Sequence, residues 1–195
     1  MRIVHVSAEC YPMAKAGGLG DVVGALPKYQ QKIGQQAMVV MPMYKTAFLE
    51  KTSWDVVHKG HTNIGDYFFD YTIIKEATDK LGFGLYLVDI NGLLDREKIY
   101  GYDDDTERFV SFQIATLDWI IGRETMPNVV NCHKFSAFCL GIYFRSILNF
   151  RGTQQFCQTL HHHPLSKKEA SAPPPPAYQW QHHREHVYKS RQLGL

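Results

Sequence analysis

The chain has 195 residues, 45% of them hydrophobic and 13% aromatic, which is enough for one packed domain, or a domain with a tail, and too apolar for a disordered chain. Its 21 basic residues against 19 acidic ones leave a formal charge of +2, so the balance gives no electrostatic case for nucleic acid or an anionic membrane. No apolar run approaches the roughly 20 residues needed to cross a bilayer, and the N-terminus lacks the apolar core of a signal peptide. The four cysteines, Cys10, Cys132, Cys139 and Cys157, contain no C-x-x-C pair, so neither a zinc site nor a disulfide framework is implied. The expectation is a soluble, cytoplasmic chain with reduced thiols.

In chain order, residues 2–7 read as a buried strand and are followed by a glycine-rich loop. Leu19, Val22, Val23, Leu26 and Ile33 then recur at the spacing of a helix with one buried face. Pro27 is expected to kink or divide that helix, and Gly34 to close it as the C′ residue. A short apolar strand over 37–41, closed by Pro42, completes a right-handed βαβ unit, the start of a parallel sheet. Residues 54–58 and 67–74 alternate like strands on either side of Gly60 and the 63–66 stretch, an antiparallel excursion from the sheet. The near-continuous apolar run over 85–90 predicts a strand covered on both faces. After a polar loop, Asp105 or Thr106 is expected to cap a helix carrying Phe109, Phe112, Leu117, Ile120 and Ile121. Beyond Pro127 a strand over 129–133 ends in His133, and residues 135–150 read as a further helix.

From about residue 152 the composition changes. Residues 161–163 are histidines, 173–176 are prolines, and few apolar residues are left to bury. The reading is α/β: a Rossmann-like parallel sheet with an antiparallel excursion over residues 1–151, then a poorly ordered tail over 152–195.

Chemistry concentrates first in Lys15-Ala16-Gly17-Gly18-Leu19-Gly20-Asp21. Glycines let a backbone approach a ligand closely, a helix beginning near Leu19 aims its N–H groups and positive dipole end over the turn, and Lys15 adds a mobile charge. Such a loop suits a phosphate or sugar phosphate. A nicotinamide or flavin dinucleotide fits less well, because Val23 stands where the third glycine of G-x-G-x-x-G belongs and no acidic residue ends the second strand. Asp103, Asp104 and Asp105 could suggest a cation site, but carboxylates clustered in a polar loop more often form a solvated turn or helix cap. The histidine run 161–163 and His182, His183 and His186 lack suitably placed acidic or cysteine partners, so no metal is expected.

Three stretches carry a family resemblance. Met1 to Tyr44, with Ser7-Ala8-Glu9-Cys10-Tyr11-Pro12, the loop just quoted and Gly24-Ala25-Leu26-Pro27, closely resembles the N-terminus of bacterial glycogen synthases and plant starch synthases. Leu94-Asp95-Arg96-Glu97-Lys98-Ile99-Tyr100-Gly101, continued by Asp104-Asp105 and Arg108-Phe109, resembles a second family stretch, with Asp105 where an asparagine is common. Val129-Val130-Asn131-Cys132-His133 resembles a strand ending in V-H-x-H-D, with Lys134 in place of the acidic residue.

The resemblance implies the N-terminal half of a GT-B fold, in which two Rossmann-type domains face each other across a cleft. It also implies a retaining glucosyltransferase that moves glucose from ADP-glucose to the non-reducing end of an α-1,4-glucan such as glycogen. No cofactor is implied, ADP-glucose being the donor substrate. Carried over by position, Lys15 and the Gly17, Gly18, Gly20 turn would contact the donor's phosphates and glucose. Glu9, Asp21 and Asp104 would line the sugar and acceptor side, and His133 would touch the transferring glucose, with Asp104 and His133 as the catalytic pair. Members of the family are longer, so the opposite wall of the cleft is expected to lie outside these 195 residues. The alternative is a catalytically inactive chain that binds glucan or a partner.

Overall fold

A computed structural model describes residues 1–133 and the backbone of 157–159. The helix expected over 135–150 and the His/Pro-rich stretches lie outside the described residues.

The first strand, β1 (Arg2–Val6), is followed by helix α1 (Gly18–Lys32) and strand β2 (Gln36–Pro42), with β1 and β2 parallel and Ile3 paired to Ala37. Pro27 lies inside α1 but does not divide it. Its missing N–H forgoes one bond to the carbonyl of Val23, and the residue is buried. The C-terminus closes as expected: Gly34, at φ +80°, donates to Gln31 O and Gln35 to Gln30 O, the paired bonds of a Schellman motif.

A short helix α2 (Ala47–Lys51) leads into β3 (Trp54–Ile64) and β4 (Tyr67–Glu76), an antiparallel hairpin longer than the alternation predicts. Gly60 and Asn63 belong to β3, and only Gly65 and Asp66 turn the chain. Gly65, at φ +58°, takes the first central position, as a two-residue II′ loop requires. Gly60 looks like a breaker in sequence because its reason is across the ladder. It pairs with Tyr71, and a Cβ at Gly60 would fall 2.3 Å from that ring. The register shifts between Val56 and His58, a bulge in β3.

Strand β5 (Gly84–Asp89) pairs antiparallel with β4 and parallel with β2. Helix α3 (Asp105–Ile121) and β6 (Val129–His133) follow, β6 running parallel to β1. Asp104, not Asp105 or Thr106, is the N-cap residue of α3, and its side chain makes no capping bond. Arg96 draws the Asp104 carboxylate away, while the Asp105 carboxylate accepts from Gly101 N at 2.7 Å. Within the 152–195 segment, Cys157–Thr159 form β7, parallel to β6 with Asn131 opposite Cys157. These three residues pair on the side of β6 away from β1.

The sheet order is β3-β4-β5-β2-β1-β6-β7, parallel from β5 to β7 with the hairpin as its antiparallel flank. Its central strands are apolar on both faces because both are covered. Val39, Met41, Leu85 and Leu87 pack with Val23 of α1, while Val4, Val40, Val88 and Ile73 pack with Phe112 and Ile120 of α3. No helix among the described residues is long and apolar enough to cross a membrane.

Candidate functional site

In the parallel part of the sheet the chain leaves β1 toward β2 on one side and returns to β6 on the other. The crevice at the carboxyl ends of β1 and β6 is therefore the topological switch point, where open α/β sheets bind ligands. Glu9 and the glycine loop follow β1, and His133 ends β6, so the sheet brings these two expected site elements to one edge.

Glu9 is fully buried, and its carboxylate is engaged on both oxygens. Oε2 accepts from Ala16 N and Gly17 N, each at 2.9 Å, and Oε1 accepts from the Tyr100 hydroxyl at 2.9 Å. Ser7 fixes the backbone here, its hydroxyl accepting from Glu9 N at 3.1 Å and donating to Glu9 O at 2.8 Å. Glu9 thus holds the loop from beneath. Burial, together with the Glu9 charge, pushes the Tyr100 hydroxyl well above the ordinary tyrosine range, so Tyr100 remains a donor. The neighbouring Tyr44 hydroxyl, also pushed up by burial, donates to Ala8 O at 3.0 Å.

The loop itself turns through a cis Tyr11–Pro12 peptide and a Cys10–Ala14 bridge, and Tyr11 N donates to Gly20 O at 3.0 Å. Its glycines divide into two kinds. A Cβ on Gly24 would fall 2.5 Å from Tyr11 O, and one on Gly20 would fall 3.0 Å from Lys15 Cβ, so packing within the chain selects these two. Gly17 and Gly18 have nothing within 4 Å of an added Cβ, and Gly17 is in ordinary extended backbone. Their bareness leaves open space over the start of α1, whose N-cap offers no side chain to its first N–H groups. Lys15 and Asp21 meet across the loop at 2.7 Å, with side chains 43% and 56% exposed, a solvated pair free to exchange partners.

Asp104 is paired with Arg96 Nη2 at 2.9 Å. Tyr102 lies between two guanidinium groups, its ring centroid 5.5 Å from Arg96 and 4.8 Å from Arg108. The fully buried Arg108 donates to Leu93 O at 3.1 Å and Ile99 O at 3.2 Å and pairs with Asp105, tying the polar loop to the first turn of α3. Among the described residues, no group of three histidine, cysteine or acidic side chains is placed to hold a metal.

His133 is fully buried and bonds through Nε2 to His5 Nδ1 at 2.9 Å, and His5 Nε2 reaches Gln30 Oε1 at 2.7 Å. Burial lowers the pKa of His5, against a smaller raising effect of Gln30, which favours the neutral ring. With Gln30 presenting its carbonyl oxygen, neutral His5 carries its proton on Nε2 and accepts on Nδ1. His133 must then donate from its own Nε2.

Sequence reasoning assigned no role to His5, Gln30 or Tyr44, and quoted Tyr100, Arg96 and Arg108 only as parts of a matching stretch. A histidine in the middle of a valine-rich strand is the signal that could have exposed the His5–His133 pair. Nothing local announces that Tyr100 reaches Glu9.

A match to the family described as starch synthase catalytic domain runs over residues 2–189. The chain belongs to this family. Among curated relatives of the starch synthase catalytic domain, the glycogen synthase of Flavobacterium johnsoniae is 54% identical over 133 residues, covering 68% of this chain and 28% of that protein. A glycogen synthase of Streptococcus equi subsp. equi is 38% identical over 139 residues, covering 69% and 28%. Soluble starch synthase 3 of Solanum tuberosum, chloroplastic/amyloplastic, is 32% identical over 139 residues, covering 70% of this chain and 11% of that protein. Among solved structures, the catalytic domain of starch synthase IV from Arabidopsis thaliana, bound to ADP and acarbose, superposes with a TM-score of 0.72 at 22% identity, over 80% of this chain and 33% of that one. The sheet is accordingly the Rossmann-like part of a GT-B fold. The chain spans little more than a quarter of the length of the two bacterial glycogen synthases.

Proposed function

We propose that this chain forms one wall of the cleft in which glucose passes from ADP-glucose to the non-reducing end of an α-1,4-glucan, with retention of configuration. The observation that carries the reading is the loop at the switch point. Its backbone is locked from below by Glu9, while Gly17 and Gly18 stay bare above, where no packing within the described residues requires glycine. Lys15 and the first N–H groups of α1 would take the departing diphosphate, Gly17, Gly18 and Gly20 letting it approach. Asp21, released from Lys15, and Asp104 would face the sugar and acceptor. Glu9 enters this scheme as the group that positions the loop. His133, with its tautomer set by His5, would address the transferring glucose through a slight local rearrangement of its buried ring. Residues 1–151 would act as the catalytic unit and 152–195 as a separate segment, in a cytoplasmic protein whose partners are ADP-glucose and glycogen.

Titrating the purified chain with ADP-glucose and with a maltooligosaccharide, and measuring glucose incorporation, tests the proposal. Saturable ADP-glucose binding that weakens at least tenfold in Lys15→Gln is the expected result, worth about 1.4 kcal/mol. Undetectable donor binding at millimolar concentration would overturn it. Glucan binding without donor binding or turnover would favour the non-catalytic alternative.

A further inference from the structure

At the amino ends of the parallel strands, on the edge opposite Glu9 and His133, lies a hollow of about 310 Å³. It is walled by the starts of β1, β2 and β5 and by the 123–127 connection into β6. Its cationic lining is Arg2, Lys75 and Arg123, against one acid, Asp79. Lys75 and Asp79 pair with each other at 3.3 Å, which leaves the two guanidinium groups without an ion pair among the described residues.

Arg123 is fixed more firmly than an ordinary surface arginine. Its guanidinium carbon stands 4.7 Å from the Trp119 ring centroid and 6.0 Å from that of Tyr86, so the group lies against aromatic faces in a set plane. The guanidinium's only hydrogen-bonding contact among the described residues is a weak one, Nη1 to Met38 Sδ at 4.0 Å. Arg2 is anchored by Nε to Met126 O at 3.0 Å and by its backbone N to Asn128 Oδ1 at 2.8 Å, which leaves its two Nη groups without a partner among the described residues. Two guanidinium groups with spare donors line one hollow whose single acid, Asp79, is held by Lys75, a lining suited to a tetrahedral oxyanion. Thr125 and Tyr86 extend the lining beyond the charged part, and a second hollow of about 570 Å³, which Glu124 also lines, adjoins through Tyr86, Arg123 and Thr125.

We infer that this hollow is an anion site for a phosphate group, free or carried as a monoester on a small body such as a hexose, distinct from the glycine loop at the other edge of the sheet. The inference does not depend on the proposed glucosyl transfer.

The test is titration of the full 195-residue chain with inorganic phosphate and with a hexose phosphate at low salt, followed by calorimetry and by ³¹P and amide NMR. Saturable binding is expected. Arg123→Gln should weaken it about tenfold, the loss of one charge-assisted contact, and Arg2→Gln by a comparable factor. Lys15→Gln, which alters only the glycine loop, should leave this binding unchanged. Equal affinities for the two ligands would assign the site to the phosphate alone, and tighter binding of the hexose phosphate would assign it to the ester. Circular dichroism checks that the variants fold. Should Arg123→Gln not fold, phosphate-induced amide shifts in the unmodified chain at Gln36, Gly84 and Thr125 would carry the same conclusion. Binding abolished by Lys15→Gln and untouched by Arg123→Gln, shifts confined to residues 16–20, or no saturation at millimolar phosphate would each overturn the inference.

Discussion

The Tyr100 hydroxyl donates to Glu9 Oε1 across 2.9 Å and 91 positions of sequence. Glu9 in turn accepts the amides of Ala16 and Gly17, so a tyrosine in the polar loop before α3 governs the shape of a loop at the far end of the chain. Tyr100→Phe should remove one bond to a buried carboxylate and destabilise the fold by about 1–3 kcal/mol, read as a lower urea midpoint. Hydrogen exchange at the Ala16 and Gly17 amides should accelerate at the same time. Unchanged exchange in Tyr100→Phe would show that Glu9 holds the loop without help.

The two kinds of glycine predict opposite behaviour. Gly24→Ala places a methyl 2.5 Å from the Tyr11 carbonyl oxygen and should cost about 1–3 kcal/mol of stability. Gly18→Ala meets nothing within 4 Å, at the first position of α1, and should be neutral or stabilising by up to about 1 kcal/mol. Yet Gly18→Ala should weaken ADP-glucose binding, because the methyl enters the space proposed for the donor. Thermal melts and donor titrations of the two variants, measured side by side, check the contrast.

The buried histidine pair gives a pH dependence of definite sign. The folded-state pKa of His5 lies below the ordinary value of 6.5, so below pH 6.5 the unfolded chain takes up a proton that the folded chain excludes. Stability contributed by this site is complete above pH 6.5 and declines on acidification toward the lowered folded pKa. The fall in urea midpoint between pH 7.5 and 5.5, about one unit on either side of that value, should be smaller in His5→Gln than in the parent. Ring ¹⁵N shifts should find the His133 proton on Nε2, and Gln30→Leu should release that preference.

A fourth expectation concerns the hairpin. Gly60→Ala would drive a methyl into the Tyr71 ring, whose hydroxyl donates to Asp118 at 2.6 Å and so ties β4 to α3. The substitution should destabilise by about 1–3 kcal/mol. Tyr71→Phe, which keeps the ring and loses the bond, should cost about 1 kcal/mol in the same denaturation assay.

Much of the architecture was legible in the sequence because short-range patterns encode it. The apolar residues of β1, the stop at Gly34 and the apolar run of β5 each identify an element without reference to its neighbours. The helical spacing from Leu19 finds α1 but not its buried face, which is Gly20, Val23, Gly24 and Pro27, while Val22 and Ile33 are exposed. The errors have a common origin in tertiary context. Gly60 reads as a turn until Tyr71 is seen opposite it, Pro27 reads as a break until its ring is seen buried, and Asp105 reads as a cap until Arg108 is seen beside it. The same holds at the candidate site. Sequence singles out Glu9, Lys15 and the glycines as candidates, but only the folded chain distinguishes a carboxylate that holds the loop from a lysine that faces solvent.

The bulge between Val56 and His58 has a consequence for solubility. β3 is the edge strand on the hairpin side of the sheet, 11 residues long, and it exposes Val56 and Val57 beside a row of backbone donors and acceptors that no other described strand pairs with. An incoming strand of a second molecule would have to keep register along that row, and the extra residue at the bulge interrupts it, with the charge of Lys59 close by. Removing the extra residue, as in a deletion of Val57, would straighten the edge and leave it open to templated stacking of one molecule on the next.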